Sequence, residues 1–194
     1  MQSIKALSIF SSLLFILGVV SCQHAKTKDV HTKQDSTAIK LQSFRKTFRD
    51  SLPKPTDYVN DYEKIFIENQ VRELDSIIGA FEKTNRIQIA IVSFDSSMID
   101  KDSLDAMTLK IANEWGVGQK YENNGITIGI CIGHRKVRIQ NGLGIEKILS
   151  NTETQEIINF VILPAYSNGL YFKGTLDGVN ALIAKLKNNL ATRK

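Results

Sequence analysis

Four groups of polar residues in this sequence are of types that do chemistry. Asp61 lies between Asn60 and Glu63 at what reads as a helix start, and Glu146 closes the run Gly142-Leu143-Gly144-Ile145-Glu146. By type, either carboxylate is a metal ligand or a general acid/base. Either is equally a capping residue that accepts hydrogen bonds from free backbone N–H groups. Asn123 and Asn124 precede Gly125, an order that forms tight turns and also offers amide oxygens to a hard cation. Arg135 and Lys136 stand side by side between two strand-like runs. There they either hold a phosphate or form a charged hairpin tip in water, the second role being the more economical. The common hydrolase signatures are missing: the sequence has no Gly-x-Ser-x-Gly elbow, no phosphate-cradling Gly-rich loop, and no cysteine followed by an arginine loop. His24, His31 and His134 are too scattered to make a Cys/His metal cluster.

Hydrophobic periodicity supplies the elements that must position these groups. Val71, Leu74, Ile78 and Phe81 recur at three- and four-residue steps and predict a helix to about Lys83, opened at Asn60 or Asp61, or two short helices with a break over Ile65 to Asn69. The run from Ile87 to Phe94 predicts a central strand. Leu104, Met107, Ile111 and Trp115 share one face of a helix from Ser103. The run from Ile126 to Ile132 is apolar on nearly every residue, as in a strand covered on both faces. Val137-Arg138-Ile139-Gln140 alternates and pairs with it as a hairpin with one wet face. Thr152 and Gln155 suggest a capping box for a helix that Pro164 ends or kinks. Leu176, Val179, Leu182, Ile183 and Leu186 predict a last helix over residues 171–190. The order predicts an α/β fold, specifically an α/β/α sandwich with a small mixed central sheet and helices on both faces.

The first 21 residues carry Lys5 and then an apolar stretch from about Ala6 to Val20, the h-region of a secretory signal. It ends at Val19-Val20-Ser21-Cys22, which resembles a bacterial lipobox. That spacing favours cleavage before Cys22 and lipidation of its thiol over an ordinary signal peptide or an uncleaved anchor. The expected organisation is a lipoprotein signal peptide over 1–21, a flexible tether over 22–52 and a globular domain over 53–190. Charge agrees with this division. Of the net +5, residues 23–57 carry eight Lys/Arg and four Asp/Glu, whereas residues 58–194 carry sixteen of each. The basic excess thus belongs to the tether and the domain is neutral, which argues against a nucleic-acid partner. Cys131, the second of two cysteines, lies inside the apolar run and reads as a small buried hydrophobe.

Taken in order, Asp61, the central strand, Trp115-Gly116-Val117-Gly118, Asn124-Gly125, Arg135-Lys136, Gly142-Leu143-Gly144-Ile145-Glu146 and Pro164 before the last helix resemble the TPM domain. That family includes bacterial exported proteins and a thylakoid-lumen protein of photosystem repair. The resemblance covers about Pro53 to Leu186 and implies an α/β/α sandwich. It also implies activities described for some members, acid phosphatase and binding of a divalent metal, calcium in particular. Carried over residue by residue, Asp61 and Glu146 are the candidate catalytic pair, and Asp61, Asn123, Asn124 and Glu146 the candidate metal ligands. The family's Asp-Asn-Gly triplet is here Asn123-Asn124-Gly125, Leu143 replaces an aromatic residue, and Asn151 stands where an aspartate is common. Two expected carboxylates are therefore amides, which lowers affinity for a hard cation. The resulting expectation is a module tethered in the bacterial cell envelope, at the outer membrane facing the periplasm. It is expected to be non-catalytic and to bind a divalent metal or a protein partner in assembly or repair of membrane complexes. The alternative is a weak metal-linked acid phosphatase acting on phosphomonoesters.

Overall fold

The structure, a computed structural model, describes residues 25–118 and 122–192. The expected signal peptide and Cys22 lie outside the described residues. The chain divides into two units, residues 1–39 and 40–194. The first is described only as the beginning of helix α1 (Ala25–Asp50), and the second carries every other element.

In chain order the elements after α1 are β1 (Val59–Asp61), α2 (Glu68–Asn85), β2 (Gln88–Ser93), α3 (Leu104–Trp115), β3 (Gly125–Cys131) and β4 (Lys136–Asn141). A short turn of helix α4 (Leu143–Glu146) follows. Then α5 (Asn151–Ile157), a π-helical turn (Ile158–Ile162) and α6 (Leu163–Ser167) run on to α7 (Tyr171–Ala191). The four strands form one open mixed sheet in the order β1-β2-β3-β4, parallel except for the β3–β4 hairpin.

Strand alternation sorts the core into two layers. Ile87, Ile89 and Ile91 point to one face with Ile126, Ile128 and Ile130, where they meet Leu74, Ile78 and Phe81 of α2 and Val179, Leu182 and Leu186 of α7. Val92, Phe94 and Cys131 point to the other face and meet Leu104, Met107 and Ile111 of α3. Every residue of β3 is buried, as its nearly continuous apolar run required. The sandwich expected from the sequence is the fold observed.

Several boundaries differ from the sequence expectations, each for a physical reason. Asp61 does not open a helix. It ends β1, a three-residue strand too short to show a period, and its carboxylate caps the turn that follows. The segment 22–52, expected to be a flexible tether, is helical over Ala25–Asp50. Its last turns also pack on the domain: the Phe48 ring lies edge-on to Tyr62 and to Phe94, each with centroids 6.3 Å apart. Arg45, with 18% of its side chain exposed, donates to the Ser96 carbonyl at 3.0 Å and pairs with Asp100. The last helix pair departs too. Ser150, not Thr152, caps α5. Pro164 does not end the helix, because the turn before it widens to π form. A proline lacks the N–H that the preceding turn would bond, and a π turn accommodates that missing donor.

Candidate functional site

The register of the sheet decides which polar groups meet. Asp61 is level with Ser93, Ser93 with Ile130 and Ile130 with Val137. Asn141, the last residue before Gly142, is level with Ile126. Four strand residues, about 13 Å, separate those two levels. Asp61, Arg135 and Lys136 therefore share one end of the sheet, while Asn123, Asn124 and Glu146 share the other. The candidate pair Asp61 and Glu146 is not brought together, nor is the four-residue metal set.

The Asp61 end lies beyond the carboxyl ends of β1 and β2, where open α/β sheets commonly bind ligands. Its carboxylates are bound to the protein itself. Asp61 accepts from the backbone N–H of Ile65 at 3.2 Å and of Phe66 at 2.8 Å, and from the Ser93 hydroxyl. Ser93 Oγ in turn accepts from Glu63 N–H at 2.9 Å. Glu63, which sequence reasoning passed over, reaches across to the β3–β4 turn and accepts from the N–H of Ile132 at 2.7 Å and of Gly133 at 2.8 Å. Burial raises the Glu63 carboxyl above its ordinary range; the two amides oppose this, and the charges of Asp95 and Asp61 reinforce it. His134 Nε2 lies 3.0 Å from the carbonyl oxygen of Ile99, to which it donates. These bonds fix a hairpin tip against β1, a structural use of groups whose types suggested chemistry.

At that tip the two cations differ. Lys136 Nζ is 2.8 Å from Asp102. The Arg135 guanidinium has no hydrogen bond or ion pair among the described residues, and its backbone sits at φ +55°, held by its N–H donating to the Ile132 carbonyl at 2.9 Å. Arg135 lines a cleft of about 410 Å³ walled by Ile132, Leu163, Tyr166, Ser167 and Tyr171.

At the opposite end, Asn124 is buried and its amide donates to the Arg86 carbonyl and to Glu122. It is a turn former whose donor is in use. Asn123 lies at φ +47°, and its carbonyl accepts from Gly144 N–H at 3.0 Å. The two glycines of Gly142-Leu143-Gly144 are required by that close approach and not by positive φ. A Cβ at Gly142 would lie 2.3 Å from the Asn123 carbonyl oxygen, and one at Gly144 would lie 2.0 Å from that of Glu122. Glu146 is exposed and lines a cleft of about 280 Å³ with Asn141, Asn151 and Thr154. Asn141 is 5% exposed; its amide donates to Thr154 Oγ1 at 2.8 Å, while its Oδ1 has no partner. No group of three or more His, Cys, Asp or Glu is placed to hold a metal among the described residues. Cys131 is free and buried, and burial pushes its thiol up to about 11, so it remains a neutral core group.

With that geometry in place, comparison with known proteins is specific. The TPM domain matches residues 59–185, from β1 through most of α7. The chain belongs to the TPM domain family. Among solved structures it is similar to the N-terminal domain of a protein from P. gingivalis, at 29% identity and TM-score 0.63, covering 70% of this chain and 85% of that one. It shares the fold of BA42 from the psychrophilic bacterium Bizionia argentinensis, at 17% identity and TM-score 0.57, with coverage of 66% and 86%. The N-terminal domain of the cg2496 protein from Corynebacterium glutamicum is similar at 17% identity and TM-score 0.53, with coverage of 69% and 82%. Comparison with curated proteins gives no match. No helix among the described residues is long and apolar enough to cross a membrane.

Proposed function

We propose that this chain is a non-catalytic TPM module of the bacterial cell envelope. It is held at the membrane through lipid on Cys22 and binds a divalent cation or a protein partner in the assembly or repair of membrane complexes. The observation that carries the reading is the separation of Asp61 from Glu146 by the length of the sheet. A general acid and a metal-activated water must act on one phosphoryl group, and these two carboxylates face different ends. The oxygens of Asp61 are, moreover, engaged by two backbone amides and a hydroxyl.

A cation fits the Glu146 end better than the Asp61 end. There Asn141, whose buried Oδ1 is unpaired, and Asn151 line the same cleft as Glu146. Oxygen donors of this kind suit calcium, and one carboxylate among amides suits weak binding. The competing reading, a weak metal-linked acid phosphatase, draws support from the uncompensated Arg135 guanidinium at the Asp61 end.

Turnover of p-nitrophenyl phosphate by the full chain in detergent, with calcium, magnesium or manganese, separates the two. The proposal expects none above the rate of the Glu146→Gln variant. Robust turnover that Glu146→Gln abolishes would overturn it and establish the phosphatase. Calorimetric titration of calcium into the same chain should give heat that Glu146→Gln removes and Asp61→Asn leaves.

A further inference from the structure

The Arg135 cleft is the largest of those described here, and neither the separation of Asp61 and Glu146 nor the calcium reading uses it. It combines one free cation with an apolar wall. Ile132, Leu163, Tyr166 and Tyr171 line it, and the two tyrosine rings stack edge to face with centroids 5.5 Å apart. The Tyr166 hydroxyl is turned inward, 2.7 Å from Thr175 Oγ1, so it is the ring that faces the cleft. A volume of about 410 Å³ is within the range of sites that take a small ligand or the last residues of a peptide.

The sign and size of the ligand's charge follow from what surrounds Arg135. Its neighbour Lys136 is neutralised by Asp102 at 2.8 Å, leaving one positive charge at the tip. Glu63 is bonded to the amides of Ile132 and Gly133 in the same turn. Its carboxylate is close enough to Tyr166 to contribute to the raised pKa of that phenol, after burial itself. A phosphate dianion would meet that negative field with a single guanidinium to oppose it. A carboxylate monoanion matches one guanidinium, which binds it bidentately.

From these observations we propose that the cleft binds the C-terminal carboxylate of a partner protein whose last residue is apolar, with Arg135 on the carboxylate and the side chain against Tyr166 and Tyr171. This deepens the proposed function and rests on its partner-binding half.

The test uses the full chain in detergent and a fluorescein-labelled peptide, Gly-Ser-Gly-Ala-Phe, as the free acid and as the C-terminal amide, read by fluorescence polarisation. The free acid should bind at least about tenfold tighter than the amide, a charge-assisted difference of about 1.4 kcal/mol. Arg135→Gln should erase that preference. Ser167→Trp, an exposed position that fills the cleft without entering the core, should abolish binding of both forms at an unchanged melting temperature. Equal binding of acid and amide, or no binding at millimolar peptide, overturns the proposal. Three further arms do the same: tighter binding of an amide peptide carrying phosphoserine assigns the cleft to phosphate, equal binding by N-acetylphenylalanine assigns it to small carboxylates, and a retained acid preference in Arg135→Gln removes the residue from the site. Phosphatase turnover, read separately, reports failure of the proposed function and not of this one.

Discussion

Glu153 is the residue whose removal most directly tests how the Glu146 cleft is held. It is the third residue of α5, whose first turns contribute Asn151 and Thr154 to that cleft. Its carboxylate accepts from the N–H and the hydroxyl of Ser150, each at 2.9 Å, and Ser150 Oγ accepts from Glu153 N–H at 3.2 Å. It also accepts from Asn189 at 3.2 Å and pairs with Lys185 at 3.4 Å, both on α7. One side chain thus caps α5 and ties it to α7. The Ser150 backbone N–H foremost, then Asn189, pull its carboxyl from 4.5 down to about 2. Taken whole, that difference is about 3.4 kcal/mol. Because water reaches the group and screens it, about 1 to 1.5 kcal/mol is the contribution to expect, within the range for helix caps. The pKa is lowered on folding, so the stabilisation is complete above pH 4.5 and is lost as pH falls toward 2. Glu153→Gln should therefore be less stable than the parent by about 1 kcal/mol at pH 7 in urea unfolding followed by circular dichroism. That gap should close between pH 4.5 and pH 2. A gap that is absent at pH 7, or that holds constant on acidification, would refute the reasoning.

Four further outcomes follow from the same structure. Gly144→Ala places a methyl 2.0 Å from the Glu122 backbone oxygen and should cost about 1–3 kcal/mol in thermal unfolding; a neutral effect would mean that the 122–124 loop yields freely. Burial raises the Glu63 carboxyl, so its folded form holds protons longer than the unfolded chain, and stability declines as pH rises from 4.5 through the folded value. The stability deficit of Glu63→Gln should accordingly be smaller at pH 7 than at pH 4, and a deficit that grows with pH would contradict the assignment. Phe48→Ala removes a half-buried ring packed on Tyr62 and Phe94 and should cost about 1–3 kcal/mol, against no cost if α1 were only a spacer. Cys22→Ser should move the protein from the membrane fraction to the soluble fraction on cell lysis, and unchanged membrane association would remove the lipid anchor from the proposal.

The fold was legible wherever one period ran long enough. The buried strand at Ile126–Ile130 and the apolar stripes of α2, α3 and α7 were readable because burial on a strand or helix face imposes spacing on the sequence itself. What escaped had no period to impose. Val59-Asn60-Asp61 is a strand only because β2 pairs with it in register, and three residues cannot alternate often enough to show it. The last turns of α1 escaped for a different reason: Phe48 and Arg45 are anchored by partners about fifty residues away, Phe94 and Asp100, which no local window contains. The Ser150–Glu153 box was missed in favour of Thr152 and Gln155, because both pairs have the capping spacing and only the position of the helix start tells them apart.

The site was less legible than the fold, because residue type and chain order do not encode which end of a sheet a residue reaches. Asp61 ends β1 and Glu146 follows β4 in chain order, yet β1 runs parallel to β3 while β4 runs antiparallel to it. The residue after a parallel strand and the residue after its antiparallel neighbour must then emerge at opposite ends. Two levels four strand residues, about 13 Å, apart do not converge on one phosphoryl group. Functions that need one end at a time meet no such obstacle. The cation proposed beside Glu146 and the partner carboxylate proposed at Arg135 lie at opposite ends of the sheet, so neither needs the other in order to bind.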